Sequence, residues 1–273
     1  MARRRRLLDA LVAYFPDYSR DELYRYLMCR EIVQISGNES TVLGDPHELV
    51  TGEGSYKILT QRFVSRGGEK LSAALHRWEI SPENRVWIDA GASTGGFTDC
   101  LLQGGARQVI AVDVGFNQLH YRLRTDPRVQ VREKTNIRDV IAEYNTSPMP
   151  AALPADAVVC DLSFRSLRGV LADLLRITRE GWGIALLKPQ FETAAAIRWG
   201  EQPEDPSALA RGVVEETERG DLIDRTIAEL SREGVHVLRR MESPITGRRG
   251  NREELLLVGL SHDVSRGKET PNW

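Results

Sequence analysis

Four side chains able to hold or move a proton stand far apart in this sequence, at or near junctions between predicted elements: Lys70, Asp161, Lys188 and Glu253. Asp161 opens Asp161-Leu162-Ser163-Phe164 after a predicted strand over 156–160, and Lys188 opens Lys188-Pro189-Gln190-Phe191-Glu192 after another over 183–187. Lys70 follows Ser65-Arg66-Gly67-Gly68 in a predicted helix over 67–78, and Glu253 opens the last predicted strand after Gly250-Asn251. In an open parallel sheet the strands offer their carboxyl ends along one edge, so residues this distant in sequence can gather there. Any one of these lysines taken singly reads more readily as a solvated surface residue. Two lysines and two acids around one point suit removal of a proton from a weak nucleophile. A neutral lysine is the base such a set supplies; burial and a second ammonium favour the neutral form, adjacent carboxylates the charged one.

A second cluster says what the nucleophile would attack. Val86-Trp87-Ile88-Asp89 is an apolar strand closed by an acid, and Ala90-Gly91-Ala92-Ser93-Thr94-Gly95-Gly96-Phe97 is a glycine-rich turn opening a helix. Val109-Ile110-Ala111-Val112-Asp113 is a second apolar strand closed by an acid, as doubly wound sheets use to offer a carboxylate to a ribose diol. The glycines lack Gly-x-Gly-x-x-Gly spacing, which points away from a pyrophosphate-bearing dinucleotide. S-adenosylmethionine carries no phosphate; it needs close backbone approach, an acid near its ammonium group and an acid on its ribose. Asp89 and Asp113 fit those two roles, and Gly91, Ser93, Gly95, Gly96 and Phe97 are the loop's candidate contacts; the alternative is that the glycines only make a tight turn. Asn136, after the strand over 129–132, reads equally as a contact to the adenine edge or as the cap of the helix behind it. With that donor, the reaction best suited to the four polar groups is methyl transfer to a ribose 2′-hydroxyl. The Asn/Asp-Pro-Pro-aromatic signature of exocyclic-amine methylation is absent at Asp161, and no Pro-Cys pair marks cytosine C5 chemistry.

These residues need a scaffold, and the hydrophobic pattern describes one. Strands over 86–89, 108–112, 129–132, 156–160 and 183–187 alternate with helical segments, the signature of a parallel sheet with helices on both faces. A long amphipathic helix from about Pro206 to Glu233 stops at Gly234, and strands Val235–Met241 and Glu253–Leu260 form an antiparallel pair across the turn Ile245–Gly250. The expected fold is α/β: a doubly wound, mostly parallel seven-stranded sheet with an antiparallel last strand, preceded by a small α+β domain. That first domain is expected over 1–60, with helices through Tyr14 and over Asp21–Met28, strands Ile32–Ile35 and Tyr56–Leu59, a capping box at Ser19 and Glu22, a turn at Ser36-Gly37-Asn38 and a separator at Thr51–Gly54. A linker over 61–66, the catalytic domain over 67–262 and a polar tail over 263–273 complete the division.

With 273 residues, 41% of them hydrophobic and 28% charged, the chain has the composition of a soluble protein with one large core and a small appendage. It has no apolar run long enough to span a bilayer, and Leu7–Val12 after Arg3-Arg4-Arg5-Arg6 is too short and too acidic for a secretory signal, so the expected compartment is the cytoplasm. Three cysteines without Cys-x-x-Cys spacing and five scattered histidines indicate neither disulfides nor a metal. The net charge is only −2, so attraction to a polyanion has to come from clustering such as the seven arginines within residues 1–30.

Ser65–Leu71, Asp89–Phe97, Asp161–Phe164, Lys188–Glu192 and Gly250–Glu253 together resemble the TlyA family, ribosomal RNA cytidine-2′-O-methyltransferases with an FtsJ-type catalytic domain that long carried a haemolysin label. The likeness spans nearly the whole chain. It implies a Lys-Asp-Lys-Glu tetrad at Lys70, Asp161, Lys188 and Glu253, S-adenosylmethionine as donor, and ribosomal RNA or ribosomal subunits as substrate, with no obligate protein partner. The amino-terminal segment resembles a small RNA-binding domain shared with a ribosomal protein and pseudouridine synthases. By that likeness Arg4, Arg6 and Arg20 hold phosphates, joined by Arg66, and arginine forks suit phosphate oxygens. The chain departs from the family pattern at Cys29-Arg30, where a glycine is usual, at Phe63, where tryptophan is common in the linker, at Thr193–Arg198, and at Glu254, where an aromatic or apolar residue is usual. Two other functions are compatible with the likeness: an RNA-binding ribosome-assembly factor with a vestigial methyltransferase fold, and a membrane-lytic haemolysin, for which the sequence supplies neither a spanning helix nor a long barrel pattern.

Overall fold

The computed structural model describes residues 4–16, 18–37, 39–51, 55–59, 62–146, 155–163, 165–198, 214–247 and 250–260, with the side chains of 194–198 excepted. Asn38 of the first turn, Gly52–Gly54 of the separator, the boundary at Thr60 and Gln61, Phe164, the Pro206 start of the long helix and the polar tail lie outside the described residues. The chain divides into two compact units, Met1–Gln61 and Arg62–Trp273.

The first unit opens with a two-residue strand β1 (Arg5–Arg6) and two helices, α1 (Leu7–Tyr14) and α2 (Arg20–Met28). Strands β2 (Ile32–Ser36), β3 (Glu39–Leu43), β4 (Leu49–Val50) and β5 (Ser55–Ile58) follow. β2 is the centre of a three-stranded antiparallel sheet in the order β3-β2-β5, and β1 pairs with β4. The β3 strand was not expected from its sequence, because its surface residues Glu39, Ser40, Thr41 and Val42 alternate too weakly to register as a strand. Leu7, Leu11, Leu23, Leu27, Ile32 and Tyr56 form the core. Ser19 and Glu22 make the expected capping box, with Ser19 Oγ accepting from the Glu22 backbone and Glu22 accepting from the Ser19 N–H. At the other end of α2 the glycine departure has a conformational consequence: Arg30 takes a left-handed φ of +58° while its N–H and that of Glu31 close the helix onto Leu27 and Tyr26.

The second unit holds α3 (Gly67–Trp78), β6 (Val86–Ala90), α4 (Gly96–Gln103), β7 (Gln108–Val112), α5 (Tyr121–Arg124), β8 (Val129–Arg132), α6 (Ile137–Thr146), β9 (Ala157–Cys160), α7 (Leu171–Arg176), β10 (Trp182–Leu187), α8 (Pro189–Arg198), α9 (Glu216–Arg232), β11 (Val235–Glu242) and β12 (Glu254–Leu260). The seven strands lie in the order β11-β12-β10-β9-β6-β7-β8, and only β12 runs against its neighbours. Both faces of the central strands are buried, which is why they read as unbroken apolar runs. Along β6 and β7 alternate residues feed opposite layers: Val86, Ile88, Ile110 and Val112 pack with Ile137, Leu171 and Ile223, while Trp87, Val109 and Ala111 pack with Leu71, Trp78 and Leu101. Trp87 and Trp182 meet edge to face at 5.3 Å in the second layer.

From β6 the chain winds outward to β7 and β8, and then crosses to β9 and β10 on the other side. The direction of winding therefore changes between β6 and β9, and the crevice at their carboxyl ends is where open α/β sheets bind ligands. No helix among the described residues is long and apolar enough to cross a membrane.

A left-handed non-glycine residue costs roughly 1–2 kcal/mol, and a glycine's freedom in the unfolded chain returns part of that. Arg30→Gly is therefore expected to stabilise the closing turn of α2 by about 0.5–1 kcal/mol. Native-state hydrogen exchange checks this: the α2 amides should exchange about two- to fivefold more slowly.

Candidate active site

The helix that carries Lys70 is seated by glycines. A Cβ on Gly96, at the start of α4, would lie 2.3 Å from Ser65 Oγ, 2.8 Å from the Gly68 nitrogen and 3.1 Å from the Gly67 Cα, so the first turns of α3 and α4 touch backbone to backbone. Gly68 in turn leaves room for Phe63, which is buried against it. Asp99 in α4 reinforces the join by accepting from the Val64 N–H at 2.8 Å and from Arg122 at 2.7 Å. Lys70 lies one turn into α3, and its ammonium reaches Glu253 Oε2 at 2.5 Å.

Glu253 stands one residue ahead of β12 rather than within it. Because β12 runs antiparallel to β10 with Leu187 opposite Glu254, the next step along the register sets Glu253 against Lys188. Room for the buried Glu253 carboxylate comes from Gly247, where a Cβ would fall 2.2 Å from Oε1.

On the other side of β10, the parallel pairing with β9 runs to Ala185 and Cys160; continued three residues further it sets Ser163 against Lys188, with Asp161 two residues before it. The Lys188 ammonium lies 2.5 Å from Asp161 Oδ1 as an ion pair, while its well-directed hydrogen bond goes to Ser163 Oγ at 2.9 Å. Lys70, Asp161, Lys188 and Glu253 are thus gathered at one edge of the sheet as two ammonium–carboxylate pairs. Ser163 belongs to this group and was not singled out in sequence; a serine two residues beyond a strand end carries no signal until the lysine it serves is in place.

The glycine-rich loop lies next to these pairs. Gly91, at φ +89°, would put a Cβ 2.5 Å from the Asp161 carbonyl, so the turn after β6 presses directly on the segment after β9. Gly95, at φ +96°, leaves its space to Leu119 and Leu123. For Gly91, Gly95 and Gly96 the crowding atoms belong to the protein itself, which makes their first task the packing of the loop. Phe97 gives its ring to the core, so only its backbone can face a ligand.

Asp113 organises the loop through both carboxylate oxygens: Oδ2 accepts from the Ser93 N–H at 2.8 Å and Oδ1 from the Gly115 N–H at 2.6 Å. The segment after it is stapled by Glu133, which accepts from the Asn117, Gln118 and Leu119 N–H groups and from Arg124. Burial pushes the Glu133 carboxyl up, but Arg124 and those three amides outweigh it and hold it at about 2. Asn136 lies exposed, and its Oδ1 accepts from the Arg138 N–H at 3.0 Å, the geometry of the cap reading.

Asp89 is completely buried and accepts from Thr98 Oγ1 at 2.6 Å through Oδ2, while Oδ1 has no hydrogen-bond partner among the described residues. Burial pushes its carboxyl up to about 7, and the nearby Asp161 and Asp113 add to the rise against the Thr98 hydrogen bond. A buried acceptor left open beside the glycine loop fits a cationic donor group, so the residues present suit S-adenosylmethionine.

The four arginines expected at RNA are all exposed. Arg4, Arg6 and Arg20 lie in the first unit, where Arg20 pairs with Asp9 at 2.7 Å, and Arg66 precedes α3 in the second. Glu254, the departure after Glu253, has its own explanation. It accepts from the buried Arg219 of α9 at 2.9 Å, and Arg219 also faces Glu242. An ion-paired carboxylate here takes the place of the apolar residue.

The Asp89 shift fixes a sign for stability. Between about pH 4 and about pH 7 the folded chain holds a proton that the unfolded chain has released, so the contribution present below pH 4 is lost as pH rises to 7, at up to about 1.4 kcal/mol per pH unit. Asp89→Asn removes this slope. Urea unfolding at pH 5, 6 and 7 should show the variant gaining stability relative to wild type by more than about 1 kcal/mol over that range.

Residues 63–260 match the family model of the FtsJ-like methyltransferases. The Bacillus subtilis protein YqxC is 40% identical over 212 residues, 77% of this chain and 70% of that one. The Mycobacterium tuberculosis 16S/23S rRNA (cytidine-2′-O)-methyltransferase TlyA is 40% identical over 203 residues, 74% of this chain and 70% of that one. Among solved structures, a hemolysin-labelled protein from Streptococcus thermophilus superimposes with a TM-score of 0.62 at 31% identity, covering 96% of this chain and 90% of that one. Matched over a stretch that begins at the buried Phe63 and ends with the last strand, this chain belongs to the FtsJ-like methyltransferase family.

Proposed function

We propose that this methyltransferase uses S-adenosylmethionine to methylate the 2′-hydroxyl of a cytidine ribose in ribosomal RNA, presented as free RNA or as a ribosomal subunit. The observation that carries the proposal is the two ion pairs, the buried Lys70–Glu253 and the half-buried Lys188–Asp161, at the carboxyl edge of the sheet beside the glycine loop. The donor, when bound, supplies an electrophilic methyl group on a sulfonium. Everything else falls to the chain's own residues.

An alcohol attacks poorly until its proton is taken. Lys188 Nζ is the group that takes that proton, with Asp161 and Ser163 holding the nitrogen in place through the contacts at 2.5 and 2.9 Å. Lys70, held by Glu253, donates to the ribose oxygen and orients it for in-line approach to the methyl carbon. Asp89 would hold the donor's ammonium group through its open oxygen and Asp113 its ribose diol, with Gly91, Ser93, Gly95, Gly96 and the Phe97 backbone as the loop beside it. Asn136 reaches the adenine edge only through the amide nitrogen, because its oxygen is committed to the cap.

The substrate is held through its backbone. Arg4, Arg6 and Arg20 bind RNA phosphates from an RNA-binding domain that ends near residue 60, and Arg66 does so from the start of the catalytic domain. The Arg20–Asp9 pair does not compete strongly, since a solvated ion pair of this kind contributes about 0–1 kcal/mol. The site of action is the cytoplasm, where ribosomal RNA is found.

Transfer of tritiated methyl to ribosomal RNA tests the base. Lys188→Ala is expected to lower kcat/KM by about 10²- to 10⁴-fold with affinity for S-adenosylhomocysteine within about threefold of wild type; a variant that transfers at the wild-type rate removes Lys188 from this role. Charge reversal of Arg4, Arg6 and Arg20 together is expected to weaken RNA binding and to reduce the slope of log affinity against log salt by about one per lost phosphate contact, with cofactor affinity intact. Filter binding over a salt series measures it, and an unchanged slope rejects phosphate contact by these residues.

A further inference from the structure

We infer that Glu192 is a positioning residue that sets Asp161 and Ser163 against Lys188. The inference rests on the assignment of Lys188 as base and adds the element that fixes its geometry. The β9–β10 pairing ends at Ala185 and Cys160, and on the β6 side the last bond runs from the Asp161 N–H to the Ala90 carbonyl at 2.9 Å, so past Asp161 the segment needs a hold of its own. Glu192 supplies that hold. It lies one turn into α8, a helix whose first hydrogen bonds run from the Phe191 and Glu192 N–H groups back to the Lys188 carbonyl, so it is rigidly tied to Lys188.

Its side chain, 1% exposed, reaches across to the segment that follows Asp161. Ser166 Oγ donates to Oε2 at 2.5 Å and the Leu167 N–H donates to Oε1 at 3.0 Å. Arg168 closes the brace from outside, with Nε 3.6 Å from Oε2 and Nη2 donating to the Glu192 carbonyl at 3.0 Å. The two cross-links are parallel and similarly spaced. Lys188 meets Asp161 and Ser163, and four residues later Glu192 meets Ser166 and Leu167. Leaving a buried carboxylate without partners is costly, and the partners of this one, Ser166, Leu167 and Arg168, all follow Ser163 on the segment that carries the contacts to Lys188.

Comparison of Glu192→Ala, Glu192→Gln and Ser166→Ala in the full chain tests the brace. Alanine at 192 is expected to lower kcat for RNA methylation by roughly 10- to 100-fold, the scale of a misplacement of about an ångström, with affinity for S-adenosylhomocysteine and KM for RNA within about twofold. Glutamine keeps the shape and an acceptor for Leu167, and is expected to restore most of kcat. Ser166→Ala removes one cross-link from the far side and is expected to lower kcat severalfold, which keeps the test open should Glu192→Ala fail to fold. Hydrogen exchange gives a readout independent of turnover: the Leu167 amide should lose protection in the alanine variant while β6 and β7 keep theirs. A folded Glu192→Ala or Ser166→Ala variant with wild-type kcat overturns the inference. Wild-type protein that transfers no methyl to RNA overturns the assigned reaction instead, and the exchange result then decides the brace alone.

Discussion

Two ammonium–carboxylate pairs, Lys70–Glu253 buried and Lys188–Asp161 half-buried, are the constraint on which this structure turns. Moving an isolated charge of this size out of water costs several kcal/mol even after relaxation, and stripping one partner from a buried pair typically costs about 3–5 kcal/mol. Lys70, Glu253, Lys188 and Asp161 therefore persist together or not at all, and each comes from a different segment. The sheet must place the carboxyl ends of β9 and β10 side by side, β12 must arrive antiparallel so that Glu253 meets the same edge, and α3 must lean in from outside the sheet. Registry errors of one residue would turn the strand-borne groups to the opposite layer. The position of these four groups is thus over-determined by the fold, as the preorganisation of a site requires.

What lets the segments approach so closely is the absence of side chains. Gly96 against Gly67 and Gly68, Gly91 against the Asp161 carbonyl and Gly247 against the Glu253 carboxylate each remove a Cβ from a contact that could not otherwise form. These glycines lie around the cofactor loop and the ion pairs, so the same shortening that closes the protein also narrows the crevice. A substitution at any of them acts on the site through the backbone, with no need to touch a ligand.

Much of this was legible in sequence, for a physical reason. Parallel strands buried on both faces must be apolar throughout, so β6, β7, β9 and β10 announce themselves, and a charged residue at the end of such a run, as at Asp89, Asp113, Asp161 or Lys188, stands out against it. Long-range cross-links left no such mark. Thr98 becomes the partner of Asp89, Ser163 that of Lys188 and Glu133 the staple of the Asp113 segment only after the sheet is assembled, and none of the three sits in a pattern of its own. Phe97 was read as a loop residue because it follows the glycines, but the periodicity of α4 carries its ring inward. Asn136 was undecided because capping and ligand contact ask for the same amide, and the exposed start of α6 settles its oxygen on the cap. Arg30 shows the limit of residue statistics: the turn keeps its left-handed shape without glycine, because Leu27 and Tyr26 still receive the closing hydrogen bonds.

The charge left over after pairing explains the remaining chemistry. Lys70 and Lys188 are matched by Glu253 and Asp161, which leaves Asp89 and Asp113 as a surplus of acid in the crevice. Burial and this like-charge crowding hold the Asp89 carboxyl at about 7, so near neutrality it stands close to the balance between its two forms. A site of this kind favours a ligand that brings positive charge, and Asp89 would give up its proton as that charge arrives. Once a methyl group has left a sulfonium the sulfur is neutral, and part of the attraction goes with it. On the proposed reaction, a donor that carries a sulfonium would suit this surplus of acid better than its spent form, and the carboxylates responsible stand at the ends of two neighbouring strands.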